Sequence, residues 1–307
     1  MISTVLDCDP GHDDAVAMAL ASRHTHLLGV TTVNGNVGLD ATTRNALITA
    51  QILELDVAVH AGADRPLLAE RTDAHELHGK TGLDGPVLPP LTRAVGPGHG
   101  VQFLIDTIRA NTGLWLLATG PLTNVALALR LAPELPEHLA GISLMGGSAG
   151  VGNMTPVAEF NAWCDPEAAA IVFGSGVRIV MCGLELTHTV RADEGRIAAL
   201  RHVDTTASTF VCDLLDFYRR GYAEAANDPL GAALHDPCAV LAITHPHLFS
   251  FAQRRVHVEL SGSATRGMTV VDARSFATPG PHPVSVAVEA DADGIFAVLA
   301  ETLASYP

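Results

Sequence analysis

Short apolar runs alternate with helix-like segments through the first two-thirds of the chain. Each run is brief and apolar, as buried parallel strands are. The predicted strands are Ile2–Leu6, Leu27–Val33, Val57–His60, Leu114–Ala118, Ile142–Met145 and Val177–Cys182. The predicted helices are Asp14–Ser22, Leu39–Leu55, Val101–Asn111, Thr123–Leu131 and Pro166–Phe173. This alternation predicts an α/β fold with a mostly parallel central sheet and helices on both faces.

The later part of the chain has a different pattern. Residues 193–222 are predicted to be helical, with Asp193 and Asp204 as N-caps. Residues 254–273 alternate in hydrophobicity around a glycine-flanked turn, which is typical of a hairpin. The last predicted elements are a strand at Val284–Val288 and a helix from about Asp291 to Ala304.

One long segment, Gly62–Gly100, is rich in glycine and proline and contains His78. It could be a solvated surface loop. It could equally be a flap over a site, because long loops in compact domains are often functional.

Composition limits both the architecture and the partners. The chain has 307 residues, 48% of them hydrophobic, and no repeat or linker divides it, so we predict a single domain over residues 1–307. Its formal net charge is −15. Such a surface repels nucleic acid and anionic membranes, so small neutral substrates and cations are the expected partners.

The cysteines and the N-terminal residues bear on location. The five cysteines are odd in number and form no CxxC pair, which indicates reduced thiols. The N-terminal residues lack the basic and apolar regions of a signal peptide. We therefore expect a cytoplasmic protein.

An acidic cluster follows the first predicted strand. Asp7, Asp9, Asp13 and Asp14 surround a Pro-Gly turn at the point where a helix begins. Ligands of open α/β sheets bind at the carboxyl ends of strands, and clustered carboxylates repel one another without a cation. Asp13 and Asp14 could simply complement a helix N-terminus, but this leaves Asp7 and Asp9 unexplained. The cluster favours a site for Ca²⁺ or Mg²⁺, which prefer oxygen ligands.

The block Asp7–Asp14 resembles the N-terminal signature of the inosine–uridine nucleoside hydrolases. Further blocks that resemble this family follow in its order, from residue 7 to residue 236. They are Thr32–Asn36, Thr43–Ala46, His78–Gly85, Thr119–Asn124, Met145–Gly147, Gly152–Asn161 and His235–Asp236. The resemblance implies an enzyme of nucleoside catabolism that hydrolyses the N-glycosidic bond of ribonucleosides to ribose and free base.

The resemblance also implies a calcium site. Side chains of Asp9, Asp14 and Asp236 and the carbonyl of Thr119 would hold Ca²⁺, and the ribose hydroxyls O2′ and O3′ and a water would complete its ligands. Asp9 would be the general base that deprotonates the attacking water. Asn36 would lie near the metal and the ribose.

By the same resemblance, the ribose is held by several further side chains. Asp13 and Asn161 would bind O2′, and Asn153 and Glu159 would bind the O5′ and O3′ side. Met145 would pack against the sugar. Such anchoring suits a reaction that passes through an oxocarbenium-like sugar, which must be fixed and electrostatically stabilised.

On the base side, the resemblance makes His235 the general acid that protonates the leaving base. His78 would cover the base from the flap. Tyr222 lies in a region that resembles the second wall of the site, and the segment Glu224–Leu234 has no assigned role. The pair His235–Asp236 resembles the group of the family with broad or pyrimidine-leaning specificity.

Other readings of the sequence remain open. Asp7 and Asp9 after a strand also suggest a haloacid-dehalogenase-like Mg²⁺ phosphatase. A non-enzymatic, calcium-dependent sugar-binding protein would use the same acids without His235. Ser148 lies in a G-x-S-x-G pattern, but Gly150 and the residues after it oppose the helix that a nucleophile elbow needs. As to assembly, we expect a homodimer or homotetramer.

Overall fold

The computed structural model describes residues 1–225 and 228–307, except for the side chains of residues 75, 76 and 225. Its strands β1 to β12 are, in chain order, Ser3–Cys8, His26–Thr32, Val59–Ala61, Leu114–Ala118, Leu139–Met145, Ile179–Cys182, Arg191–Ala192, Ala232–Ala233, Phe249–Arg254, Val256–Val258, Thr269–Val271 and Val284–Ala290. Its α-helices α1 to α13 are His12–His24, Leu39–Ile52, His75–His78, Gly100–Ala110, Thr123–Leu131, Leu135–His138, Phe160–Cys164, Pro166–Phe173, Leu184–Thr187, Glu194–Arg201, Thr206–Ala225, Asp236–Thr244 and Ala292–Ala304, and Pro246–Leu248 form a 3-10 turn. Across these described residues, no helix combines the length and apolar character needed to cross a membrane.

The centre of the fold is an eight-stranded sheet with the order β3-β2-β1-β4-β5-β6-β12-β9. Every neighbouring pair is parallel except β12 and β9. Two short antiparallel pairs, β10 with β11 and β7 with β8, lie outside it. The predicted α/β class and the predicted hairpin are both confirmed.

The two faces of the sheet carry separate hydrophobic cores. Leu6 of β1 packs among residues of α1, α11, α12 and α13, whereas the adjacent Val5 packs among residues of α4, α5 and α8. Successive side chains of a strand point to opposite faces, so a strand buried on both faces does not alternate between buried apolar and exposed polar residues. This is why the sequence of β1 lacks polar alternation.

One strand was not predicted. β9, Phe249–Arg254, forms the sheet edge by pairing antiparallel with β12. Its sequence mixes phenylalanine with serine, glutamine and arginine, and its side chains are mostly half-buried or exposed. An edge strand faces solvent along one side, so it lacks the apolar run that marked the interior strands.

One predicted helix cap is wrong. Asp193 caps α10, as predicted, by accepting a hydrogen bond from the Arg196 amide. Asp204 does not cap α11, because its backbone has a positive φ of 58° and the chain turns there. Thr205 takes the role through reciprocal side-chain and backbone bonds with Ser208. Thr and Asp are both favoured N-cap residues, so residue type alone could not separate the adjacent candidates.

The strand order creates a crevice at the carboxyl ends of β1 and β4. The chain runs from β1 to β2 on one side, then returns to place β4 on the other side. Asp7 of β1 pairs with Ala118 of β4, so Asp9 and Thr119 leave the sheet side by side. Ligands of open α/β sheets bind at such switch points.

Candidate active site

A cavity of about 100 Å³ opens at this edge of the sheet. Most of the residues predicted from the sequence meet there. Those that line it are Asp13, Asn36, His78, Thr119, Met145, Asn153, Glu159, Asn161, His235 and Asp236. Asp9 and Asp14 are buried behind this lining, where they accept hydrogen bonds from Asn36 and Thr119 respectively.

The Pro-Gly turn after β1 directs the acidic side chains. Gly11 is the N-cap of α1, and its amide donates to Oδ2 of Asp14 at 2.9 Å. Oδ1 of Asp14 accepts from the Thr119 hydroxyl at 2.8 Å, so this carboxylate joins α1 to the end of β4. Asp7 has a different place: its Oδ1 is bound by Thr31 and Asn124, beneath the cavity.

The carboxylate of Asp9 is enclosed by backbone. Oδ2 accepts from the Asn36 amide at 2.7 Å. A Cβ atom at Gly120 would lie 2.6 Å from Oδ1, and one at Gly35 would collide with Oδ2. Any larger residue at these two positions would displace the carboxylate. Oδ1 is buried and has no hydrogen-bond partner among the described residues.

Burial dominates the electrostatics of the acidic residues. It raises the pKa of Asp9 well above its usual value, and the charge of Asp14 raises it further. Burial also raises the pKa of Asp13 and that of Asp14. The pKa of Asp236 is raised by burial first and then by the charge of Asp13. A bound cation would favour the ionised forms of all four.

The donor atoms here fit a hard metal ion. Carboxylate oxygens of Asp13, Asp14 and Asp236 lie within 4.8 Å of one another, and all three residues are buried. Oδ1 of Asp9, for which the described residues supply no hydrogen-bond donor, is a further buried acceptor. The sequence had predicted Asp9 with Asp14 and Asp236 as the side-chain ligands. The closest grouping contains Asp13 in place of Asp9.

Glu159 fixes the end of the cavity that is formed by the loop Gly152–Asn161. It is the N-cap of α7, and its carboxylate accepts backbone hydrogen bonds from Asn161, Ala162 and Gly147. Asn153 stabilises the same turn by accepting from the Phe160 amide. The sequence had predicted sugar contacts for Glu159 and Asn153. In the structure both side chains also stabilise the loop by accepting backbone hydrogen bonds at the start of α7.

Asn161 of α7 connects the ends of two strands, β4 and β5. Its Nδ2 donates to the carbonyl of Thr119 at 2.7 Å and to that of Met145 at 3.1 Å. These two hydrogen bonds orient the side-chain nitrogen of Asn161 toward the backbone. The side chains of Asn161 and Met145 both face the cavity as lining residues.

On the opposite side of the cavity, His235 makes two side-chain contacts. Nδ1 lies 2.8 Å from the Thr187 hydroxyl, and Nε2 lies 2.6 Å from the Tyr222 hydroxyl. Burial lowers the pKa of His235 well below its usual value, and His188 and Arg191 lower it further. Burial raises the pKa of Tyr222, so its phenol is protonated near neutral pH.

The segment Gly62–Gly100 closes over this end of the cavity, which fits the flap prediction. His78 Nδ1 lies 3.1 Å from His12 Nδ1 and 3.3 Å from the His12 amide. Nε2 of His12 bonds to the Asp84 carbonyl at 2.8 Å. His12 therefore joins the start of α1 to two points of the flap.

Several lining residues were not predicted. Among them are Leu77, Phe160 and Tyr218. Tyr222, which the resemblance placed in the second wall of the site, faces the cavity as well. Tyr218 and Tyr222 are four residues apart in α11 and therefore share one helix face. That spacing was the signal available in the sequence.

The serine-hydrolase reading is contradicted. The Ser148 hydroxyl bonds to Glu185 and to the Val151 carbonyl. Residues 149–159 form no helix, and α7 begins only at Phe160. Ser148 therefore lacks the strand-turn-helix setting of a nucleophile elbow.

Comparisons with known proteins cover nearly the whole chain. A profile of the inosine-uridine preferring nucleoside hydrolase family matches residues 4–297. The pyrimidine-specific ribonucleoside hydrolase RihA of Salmonella schwarzengrund is 42% identical over 306 residues, which is 98% of both chains. RihA of an Enterobacter species is 43% identical over 306 residues, 98% of this chain and 97% of the relative.

Solved structures show the same likeness. A purine-preferring ribonucleoside hydrolase from Gardnerella vaginalis superimposes with a TM-score of 0.91 at 30% identity, over 98% of both chains. A plant nucleoside hydrolase, the PpNRh1 enzyme, superimposes with a TM-score of 0.89 at 30% identity, over 99% of both chains.

Proposed function

The chain belongs to the inosine-uridine preferring nucleoside hydrolase family and is a nucleoside hydrolase, and from this premise we propose that it cleaves pyrimidine ribonucleosides with the help of Ca²⁺. One observation carries the mechanism: acidic residues suited to a cation and the His235–Tyr222 pair lie around one cavity. The pyrimidine preference is supported by the names of the RihA relatives. The haloacid-dehalogenase alternative is contradicted by the family match.

Asp9 is the proposed general base. Its Oδ2 is fixed by Asn36, whereas its Oδ1 has no hydrogen-bond partner in the described part of the chain and is able to accept a proton from water. A positioned base contributes most when its orientation is set before the reaction, and the close approach of Gly35 and Gly120 sets it here.

Asp9, Asp14, Asp236 and the Thr119 carbonyl are the proposed ligands of the cation, with Asp13 adjacent. Their oxygens match the preference of Ca²⁺. When bound, the ion lowers the pKa of the attacking water and neutralises part of the carboxylate charge. The hydrogen bond from the Thr119 hydroxyl to Asp14 fixes this carboxylate beside the residue whose carbonyl is the remaining proposed ligand.

The ribose is proposed to lie against Asp13, Asn161 and Met145. Asp13 and the nearby carboxylates would stabilise positive charge that develops on the sugar as the glycosidic bond breaks. Asn161 has its amide nitrogen bound to two carbonyls, which leaves its side-chain oxygen for a hydroxyl donor.

The leaving base is proposed to take its proton from the His235–Tyr222 pair. The pair is buried, and the 2.6 Å contact between Nε2 and the hydroxyl allows a proton to pass between them. Thr187 fixes the other ring nitrogen and so the orientation of the imidazole. His78 is proposed to cover the base from the flap.

A nucleoside panel read by ribose release, with and without a chelator, tests the function. We expect uridine and cytidine to be cleaved faster than inosine, and activity to disappear with the metal. At Ca²⁺ one hundred times its dissociation constant, binding adds about 2.7 kcal/mol to the free energy of unfolding. For a chain of this size we therefore expect the chelator to lower Tm by about 4 °C.

The matched control is Asp14→Asn, which removes a proposed ligand charge and should abolish the response of Tm to Ca²⁺. Hydrolysis that persists after verified metal removal would contradict the cation proposal. No ribose release from any nucleoside by the metal-loaded protein would contradict the substrate proposal.

A second experiment tests the leaving-group acid. The His235→Ala variant is expected to lose about 100-fold or more in kcat for uridine, whose base needs protonation. The loss on p-nitrophenyl riboside should be far smaller, because nitrophenolate leaves readily without a proton. The measurement is kcat/KM for both substrates.

His245→Ala, at the other end of α12, is the control and should leave the ratio of the two substrates unchanged. Equal losses of His235→Ala on uridine and p-nitrophenyl riboside would reduce His235 to a binding or structural residue.

A further inference from the structure

Arg191 is a half-buried cation just behind the His235 side of the cavity. Its Nε donates to the His188 carbonyl at 2.7 Å, and its Nη1 donates to the Gly231 carbonyl at 2.9 Å. Nη1 also lies 2.8 Å from Oδ2 of Asp228. Three anchors, two of them backbone carbonyls, fix a side chain that is flexible in solution.

These anchors join the end of α11 to β8. The Asp228 amide donates to the Tyr222 carbonyl at 3.0 Å, so the carboxylate that pairs with Arg191 is tied to the tyrosine backbone. Arg191 is itself in β7, opposite Ala233 of β8. Beyond β8 the chain continues directly to His235.

The same guanidinium approaches the aromatic side chains behind the cavity. Its central carbon lies 5.7 Å from the centre of the Tyr222 ring. The ring of His188, whose carbonyl Arg191 binds, contacts the His235 ring edge-on at 5.5 Å. Arg191 is not among the residues that line the cavity, so its effect on the site passes through its neighbours.

We propose that Arg191 is a positioning residue that holds the Tyr222 hydroxyl on His235 during protonation of the leaving base. The inference rests on the proposed role of His235. It follows from the geometry because one guanidinium binds the Gly231 carbonyl, four residues before His235, and the Asp228 carboxylate, whose backbone amide bonds to the Tyr222 carbonyl. A lysine could not reproduce this, because its ammonium lacks the planar fork that reaches separate acceptors.

The test compares Arg191→Met with wild type on uridine and on p-nitrophenyl riboside. Small misplacements of a proton donor cost about 10- to 100-fold, so we expect a loss of that size in kcat/KM for uridine. On p-nitrophenyl riboside, where the base needs no proton, we expect at most about a threefold loss. Arg191→Lys preserves the charge and should also lose more kcat/KM on uridine than on p-nitrophenyl riboside. It replaces the methionine variant in the test if that variant does not fold.

Arg266→Met is the matched control. Arg266 also binds a backbone carbonyl, that of Leu260, and a carboxylate, that of Glu167, and it does not line the cavity. Its loss removes comparable bonds away from Tyr222 and His235. We expect it to lower Tm without changing the ratio of the two substrates.

A double-mutant cycle with Tyr222→Phe tests the route of the effect. If Arg191 acts through the tyrosine hydroxyl, the double variant should be no worse on uridine than Tyr222→Phe alone. Additive losses, or equal losses of Arg191→Met on both substrates, would overturn the proposal. If His235→Ala loses more kcat/KM on uridine than on p-nitrophenyl riboside and Arg191→Met does not, only the inference on Arg191 fails. If His235→Ala itself loses equally on both substrates, the proposed role of His235 as an acid fails.

Discussion

The Asp9→Asn variant is expected to lose at least about 100-fold in kcat for uridine, the scale of a positioned general base. Asparagine has nearly the same shape, and its side-chain oxygen can still accept the hydrogen bond from Asn36. It cannot take a proton from water at neutral pH. The expected change is therefore in kcat rather than in folding, and steady-state kinetics with saturating Ca²⁺ would measure it.

Asp291→Asn is the matched control, because Asp291 caps α13 away from the cavity and asparagine caps helices equally well. It should leave kcat unchanged. Near-normal turnover by Asp9→Asn, with metal binding and Tm retained, would show that another group accepts the proton.

We expect 2′-deoxyuridine to be a poorer substrate than uridine by as much as about 10⁴-fold in kcat/KM. Asp13 and Asn161 are both buried at the cavity and are proposed to bind O2′, and the resemblance to the family implies that the cation does so too. Removal of the hydroxyl leaves these buried groups without a partner, which costs more than the bond itself contributes.

One effect opposes this expectation. A 2′-deoxyribosyl cation forms more easily, so the intrinsic chemistry is faster without O2′. We expect the lost contacts to dominate, because they orient the sugar as well as bind it. Comparable kcat/KM values for the two nucleosides would mean that O2′ is not held by these residues.

Much of the fold was predictable because its interior strands are buried on both faces. β4 was predicted at its observed bounds, Leu114–Ala118, because a short continuous apolar run is typical of a strand that is buried on both faces. β9 was not predicted, because its residues face solvent in part and its pairing with β12 is set by tertiary contacts. The cap of α11 was misplaced by one residue for a similar reason: Asp204 and Thr205 differ in backbone conformation, not in capping chemistry.

The site was predictable where its residues are grouped in short motifs. Asp13, Asp14 and Asp236 could be proposed from such motifs, and they converge in space. Contacts between distant segments were not predictable, because nothing in the local sequence specifies them. The Tyr222–His235 contact and the anchoring of Arg191 are of this kind.

The glycine contacts around Asp9 have a consequence for attempts to change the substrate range of this enzyme. Behind the half of the cavity that would receive the sugar, Gly35 and Gly120 approach the Asp9 carboxylate so closely that neither position admits an added atom. The half that would receive the base is lined by larger side chains such as Leu77 and Tyr218. Libraries aimed at larger or altered nucleobases should therefore vary the flap and α11 and leave the loops after β1, β2 and β4 intact.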